Sequence, residues 1–217
     1  MHSRWFYASL SCVVLFIVLA AIVWFGLTDA HEMALIRRVI TSRNPSLTNF
    51  IQVLTFITSA TPALLLSLGA CVADWRISNV ERRTMTTFVT RHSSFVLAFF
   101  GALVCNIGLR LLIGRLRPQV EPIANLFPEI TAGFQRYAFP SGHAGSATLA
   151  YFSWVIVLWR FRRARWIALA VTLFVWLGTG IGRVYLGVQW PTDVLGGYLL
   201  SGAWVCAALA WRHRLAI

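Results

Sequence analysis

Long apolar stretches, separated by short polar ones that carry arginine, set the pattern of this chain. The first, residues 5–27, is long enough to cross a hydrocarbon core of ~30 Å as a helix rising ~1.5 Å per residue. Arg4 precedes it, but the run is too long for a typical signal-peptide core and no small-x-small pattern ends it, so a retained signal anchor is expected. Further apolar stretches at 47–73, 94–114, 140–159, 166–181 and 192–211 bring the expected spans to six. Pro62 lies within the second and predicts a kink, which a membrane helix tolerates. Residues 31–43 repeat Met33, Ile36, Val39 and Ile40 at helical spacing beside Arg37 and Arg38. That stretch reads equally as an amphipathic helix lying at the membrane interface and as a connecting helix packed on protein. Asn44-Pro45-Ser46 breaks it, with Ser46 a candidate helix cap. The connection at 119–139 contains Pro122 and Pro128 and few charges, and is expected to be a folded surface loop, partly embedded. The pattern predicts an all-α fold: one domain over residues 1–217, a six-transmembrane-helix bundle with a short interfacial amphipathic helix.

Composition strengthens the membrane reading. The chain is 58% hydrophobic with a mean hydropathy of +0.70, outside the habit of soluble globular proteins. All nineteen basic residues are arginine, which fits a genomic preference for arginine codons. The net charge of +12 raises the question of nucleic acid, but the arginines lie in short clusters between apolar stretches, so no nucleic-acid partner is expected. Eleven of them fall at the termini and in the connections at 74–93 and 160–165, which places the termini in the cytoplasm. Cys12, Cys71, Cys105 and Cys206 each lie in an apolar stretch without metal-like spacing and are expected to be small buried hydrophobes.

With the termini inside, three clusters distant in sequence meet at the outer membrane–water interface. Arg110 and Arg117 are seven apart, so both can face one side of a helix end, which Pro118 then stops. Two guanidiniums can grip a tetrahedral oxyanion, whereas Arg115 between them is expected to snorkel to the headgroups. Pro140-Ser141-Gly142-His143 opens the fourth stretch, where a helix N-terminus offers unpaired amides to an anion. Ser141 adds a hydroxyl, Gly142 allows close approach, and His143 can transfer a proton near neutral pH. Arg183 is expected just beyond the fifth stretch, and Asp193 opens the sixth, where it can also serve as a helix cap. Gln189 lies between them. Singly, each cluster has a plainer structural explanation; together they describe phosphate chemistry, with no metal or other cofactor expected.

In order and spacing these clusters resemble the type 2 phosphatidic acid phosphatases (PAP2), membrane lipid phosphatases related to vanadium haloperoxidases and glucose-6-phosphatase. That family's signature reads Lys-x6-Arg-Pro, Pro-Ser-Gly-His and Ser-Arg-x5-His-x3-Asp. Here it appears as Arg110-x6-Arg117-Pro118, Pro140-Ser141-Gly142-His143 and Gly182-Arg183-x5-Gln189-x3-Asp193. Arg110 keeps the charge of the family's lysine, and Gly182 gives up a hydroxyl. Gln189 stands where the family has the histidine that attacks phosphorus.

The resemblance implies a catalytic group of His143, Asp193 and the residue at 189, with phosphate held by Arg110, Arg117, Ser141, Gly142 and Arg183. It implies a lipid phosphate or diphosphate substrate and hydrolysis through a phosphohistidine in a bacterial inner membrane. Gln189 has no basic nitrogen, so negligible turnover is expected; its amide could still donate to phosphate or to Asp193. Because the rest of the signature is intact and one base change converts a His codon to Gln, an inactivated enzyme is expected over a degenerate relative. A lipid phosphotransferase and a non-catalytic lipid-phosphate binding protein use the same residues and stay open.

Overall fold

In the computed structural model, residues 2–80, 85–118 and 133–214 are described. Helix α1 covers His2–Trp24 and is closed by Gly26, whose φ of 64° is open to glycine without strain. The Gly26 and Leu27 amides donate back to Val23 and Ile22, the double bond of a Schellman ending. Helix α2, Asp29–Thr41, turns its apolar stripe inward, so that Ile36 is fully buried beside Ala138 and Trp190.

The second apolar stretch is a broken pair of helices: α3, Pro45–Ile57, and α4, Ala60–Val80, meet at 53°. Asn44, not Ser46, caps α3, accepting from the Leu47 amide at 2.8 Å with Pro45 in the first turn. The break lies at Thr58–Ser59 and not at Pro62, which occupies the first turn of α4, where its missing N–H costs nothing. The Thr58 hydroxyl donates to Leu54 and Thr55, and Ser146 donates to the Thr58 carbonyl at 2.9 Å, so the freed backbone at the break is supplied with partners.

Helix α5, Met85–Ile113, starts well before the apolar run at 94. Most of the 119–139 connection lies outside the described residues; its end forms a 3-10 turn, Gly133–Arg136. Three helices follow: α6, Gly142–Leu158; α7, Ala164–Tyr185; and α8, Pro191–Arg214. Among the described residues four helices (α1, α5, α7 and α8) are long and apolar enough to cross a membrane, and the bent α3–α4 pair makes a fifth if its two halves form one span. The 17-residue α6 is shorter than the ~20 residues of an ordinary span. It is the inner helix, packed by α4, α5, α7 and α8. Val14, Ile17, Val104, Leu112, Ile167 and Ile181 are each more than half exposed, the surface a bilayer covers. The four cysteines are free and half-buried.

Small residues set the helix spacing, as in other membrane bundles. A Cβ at Gly197 of α8 would stand 2.3 Å from the Ser141 carbonyl oxygen, and one at Gly182 of α7 would stand 2.7 Å from Ile51 of α3. The end of the bundle remote from these contacts is tied by Asp74 of α4, fully buried and paired with Arg160 and Arg212.

Because the Gly197 neighbour is backbone and cannot swing away, Gly197→Ala should destabilise the protein by about 1–3 kcal/mol. Thermal unfolding in detergent measures this against Gly108→Ala, where the new Cβ meets nothing within 4 Å and the melting temperature should hold or rise.

Candidate functional site

The site begins where α5 ends. Arg110 lies in the last turn of α5, and Gly114, at φ 65°, redirects the chain into an extended 115–118 segment. That segment pairs with 136–138: the Ala138 amide donates to the Arg115 carbonyl at 2.8 Å, and the Arg117 amide to Arg136 at 3.2 Å. Two buried guanidiniums are aimed by backbone carbonyls. Arg110 Nε donates to Pro140 at 3.1 Å; Arg117 donates from Nε to Gln135 at 2.7 Å and from Nη1 to Val188 at 2.6 Å. Burial, with Arg110 nearby, lowers the Arg117 pKa to about 10, so it stays charged at neutral pH.

Ser141 caps α6, accepting from the Ala144 amide at 3.3 Å, and its own amide donates to the Asp193 carbonyl at 2.9 Å. These bonds place the first turn of α6 against Arg110: a Cβ at Gly142 would come within 2.9 Å of Arg110 Nη2. Arg183 is buried in the last turn of α7, not beyond the helix as its flanking sequence had indicated.

Arg110, Arg117, Gly142, His143 and Arg183 line one cavity of about 710 Å³. Its remaining wall is mixed: Val53 and Phe56 of α3, Phe99, Leu103 and Ile107 of α5, and Leu149 of α6 supply apolar surface, and Gln52, Thr55, Asn106, Gln135, Ser146 and Ser201 are among its polar members. Ser141, Gln189 and Asp193 stand outside that lining. Gly182, the family's serine position, faces Ile51. Among the described residues no three His, Cys, Asp or Glu side chains group as a metal site.

Gln189 is fully buried and donates from Nε2 to the Ala138 carbonyl at 3.1 Å, so its amide serves neither Asp193 nor an open face. Its Oε1 has no hydrogen-bond partner among the described residues. Asp193 is also fully buried, accepting from the Trp190 amide at 2.9 Å and from Arg115 Nη1 at 3.0 Å. The helix-cap reading of Asp193 therefore holds.

Arg115 does not snorkel. It is buried, pairs with Glu32 at 2.7 Å, with Asp29 and with Asp193, and lies 4.6 Å from the centre of the Trp190 ring. Glu32 accepts in turn from the Thr192 amide at 2.7 Å and its hydroxyl at 2.9 Å. Sequence reading missed this group. The available signal was that Asp29 and Glu32, two of only seven acids in the chain, lie three apart and share one face of α2.

The PAP2 superfamily model matches residues 91–217, more than half of the chain, and the chain belongs to that superfamily. Among its relatives, a lipid A 4'-phosphatase of Bacteroides thetaiotaomicron is 34% identical over 124 residues, 54% of this chain and 51% of that protein. The chain thus aligns with about half the length of that relative. Phosphatidylglycerophosphatase B of Bacillus subtilis is 26% identical over 203 residues, 90% of each chain. The crystal structure of a transmembrane PAP2-type phosphatidylglycerolphosphate phosphatase from Bacillus subtilis has the same fold, with a TM-score of 0.78 at 21% identity over 96% of this chain and 98% of that one. With its apolar helices, this match makes the chain an integral, multi-pass membrane protein.

Glu32→Ala would leave Arg115 without one of its buried partners. A loss of about 3–5 kcal/mol is expected, the scale for breaking a buried ion pair. Thermal unfolding tests it against exposed Arg38→Ala, which should shift stability by less than about 0.5 kcal/mol.

Proposed function

We propose that the chain is a lipid-phosphate site of the PAP2 phosphatase type, disabled for hydrolysis by Gln189. The observation that carries this reading is the lining of the cavity: three guanidiniums, His143 and a helix N-terminus share it with apolar side chains such as Val53, Phe56, Phe99 and Leu103, among polar ones that include Gln52 and Asn106. Such a space suits a phosphate attached to a lipid. The relatives' names point to the same class, which includes phosphatidic acid, phosphatidylglycerol phosphate, polyprenyl diphosphate and lipid A phosphates. The site then faces outward in a bacterial inner membrane, with the termini in the cytoplasm. Short, buried α6 completes six spans, and α2 rests its packed helix at the interface.

With histidine at 189, the chemistry is double displacement. The imidazole, carried on the turn that Asp193 closes, attacks phosphorus as the bond to the lipid oxygen breaks. Arg110, Arg117, Arg183 and the first amides of α6 stabilise the charge gathering on the equatorial oxygens. His143 gives its proton to the departing lipid alkoxide, then takes one from the water that displaces phosphate from the imidazole. A carboxamide nitrogen has its lone pair delocalised into the carbonyl and cannot form the intermediate, so binding remains and turnover stops.

Gln189→His should release phosphate from a panel of lipid phosphates with chelator present, at about 10⁴–10⁶ times the rate of the unchanged chain. The unchanged chain should bind the same lipids. A substituted chain silent across the panel overturns the site assignment; an unchanged chain equally fast overturns the role of position 189. Gly142→Ala, whose Cβ displaces Arg110 Nη2, should weaken lipid-phosphate binding by about tenfold or more without lowering the melting temperature, as titration calorimetry would show.

A further inference from the structure

Position 189 is held from three directions, and two of them lead to Arg115. The residue before it, Val188, accepts from Arg117. The residue after it, Trp190, donates its amide to Asp193 Oδ2, while Arg115 holds Asp193 Oδ1 and lies over the Trp190 ring. The side chain at 189 rests on the Ala138 carbonyl, and the Ala138 amide is bonded to the Arg115 carbonyl. Arg115 therefore fixes both the turn that carries residue 189 and the surface against which its side chain lies. Asp29 and Glu32 in turn share one Arg115 nitrogen, Nη2, leaving Nη1 for Thr192 and Asp193.

We infer that Arg115 is a positioning residue for the side chain at 189, acting through Asp193, Trp190 and Ala138 and anchored on α2 by Asp29 and Glu32. The inference rests on the proposed role of position 189 as the place of the nucleophile. Arg115 is absent from the lining of the phosphate cavity, so its effect is on orientation and not on phosphate binding. A planar fork reaches carboxylates on two helices at once; an ammonium at the same place keeps the charge but cannot span both.

The test uses the full chain carrying Gln189→His, with and without Arg115→Lys. Lysine should lower kcat by about tenfold or more while KM stays within about twofold, because misplacement of a reacting group costs rate and not binding. Asp29→Asn, at a half-exposed site, should lower kcat less and likewise spare KM. In parallel, 15N NMR of histidine-labelled protein reads the tautomer of the introduced imidazole. One tautomer is expected with Arg115, and a mixture with lysine. An unchanged kcat, a KM that rises in step with the fall in kcat, or an imidazole signal indifferent to Arg115→Lys overturns the inference. Should Arg115→Lys not fold, the same readings on Asp29→Asn decide. Should Gln189→His release no phosphate, the proposed function fails while the imidazole signal still judges the positioning.

Discussion

Arg115 is shared by three carboxylates: Glu32 and Asp193, which are buried, and Asp29, which is half-exposed. Burying a guanidinium costs several kcal/mol, and each buried carboxylate adds a similar penalty, so the group is viable only if every member finds its partners together. Thr192 completes it by receiving from Arg115 and donating to Glu32, and the Trp190 ring covers one face of the cation. Such a cluster ties its buried members to one another. Its members come from α2, the segment after α5, and the start of α8, and those three pieces are thereby fixed relative to one another.

The cavity depends on that frame. Arg117 is two residues from Arg115 and takes its direction from the Val188 carbonyl, on the turn that Asp193 closes. The start of α6 is joined to the start of α8 by the Ser141 amide on the Asp193 carbonyl, at a place where Gly197 lets the two backbones meet. Arg110 can then approach α6 because residue 142 has no Cβ. Three like charges gathered on one cavity repel one another, and the carbonyls of Pro140, Gln135 and Val188 hold Arg110 and Arg117 in place against that repulsion.

What could be read from sequence follows from how far each signal reaches along the chain. Helix positions came from apolar runs, which are local, and the three site clusters came from residue type and spacing. In the structure Arg110, Arg117, Gly142, His143 and Arg183 line one cavity. The fate of Arg115 could not be read that way: its partner Glu32 is 83 residues distant, and an arginine at a span's end has an inexpensive alternative in the headgroups. The break at Thr58–Ser59 was hidden for a related reason. Proline is the usual local cause of a kink, but the Ser146 hydroxyl that serves the freed carbonyl comes from another helix. Asn44 and Ser46 are both good caps, and only Pro45, best placed in the first turn of a helix, separates them.

Gln189 is best understood against this frame. Its neighbours on either side are held by main-chain atoms, Val188 through its carbonyl and Trp190 through its amide, and neither bond depends on the side chain at 189. A change of side chain there alters chemistry without releasing the turn. One amide nitrogen is satisfied by Ala138, but Oε1 is buried without a partner among the described residues, an expense of about 1–3 kcal/mol for a polar atom so placed. An imidazole presents only one hydrogen-bonding group beyond the one that would donate to Ala138, and in the proposed chemistry that second nitrogen is the one that attacks. Among the described residues the side chain at 189 thus meets one acceptor and no donor, an arrangement that, under the proposed chemistry, would suit a neutral histidine with its free nitrogen reserved for phosphorus better than a glutamine.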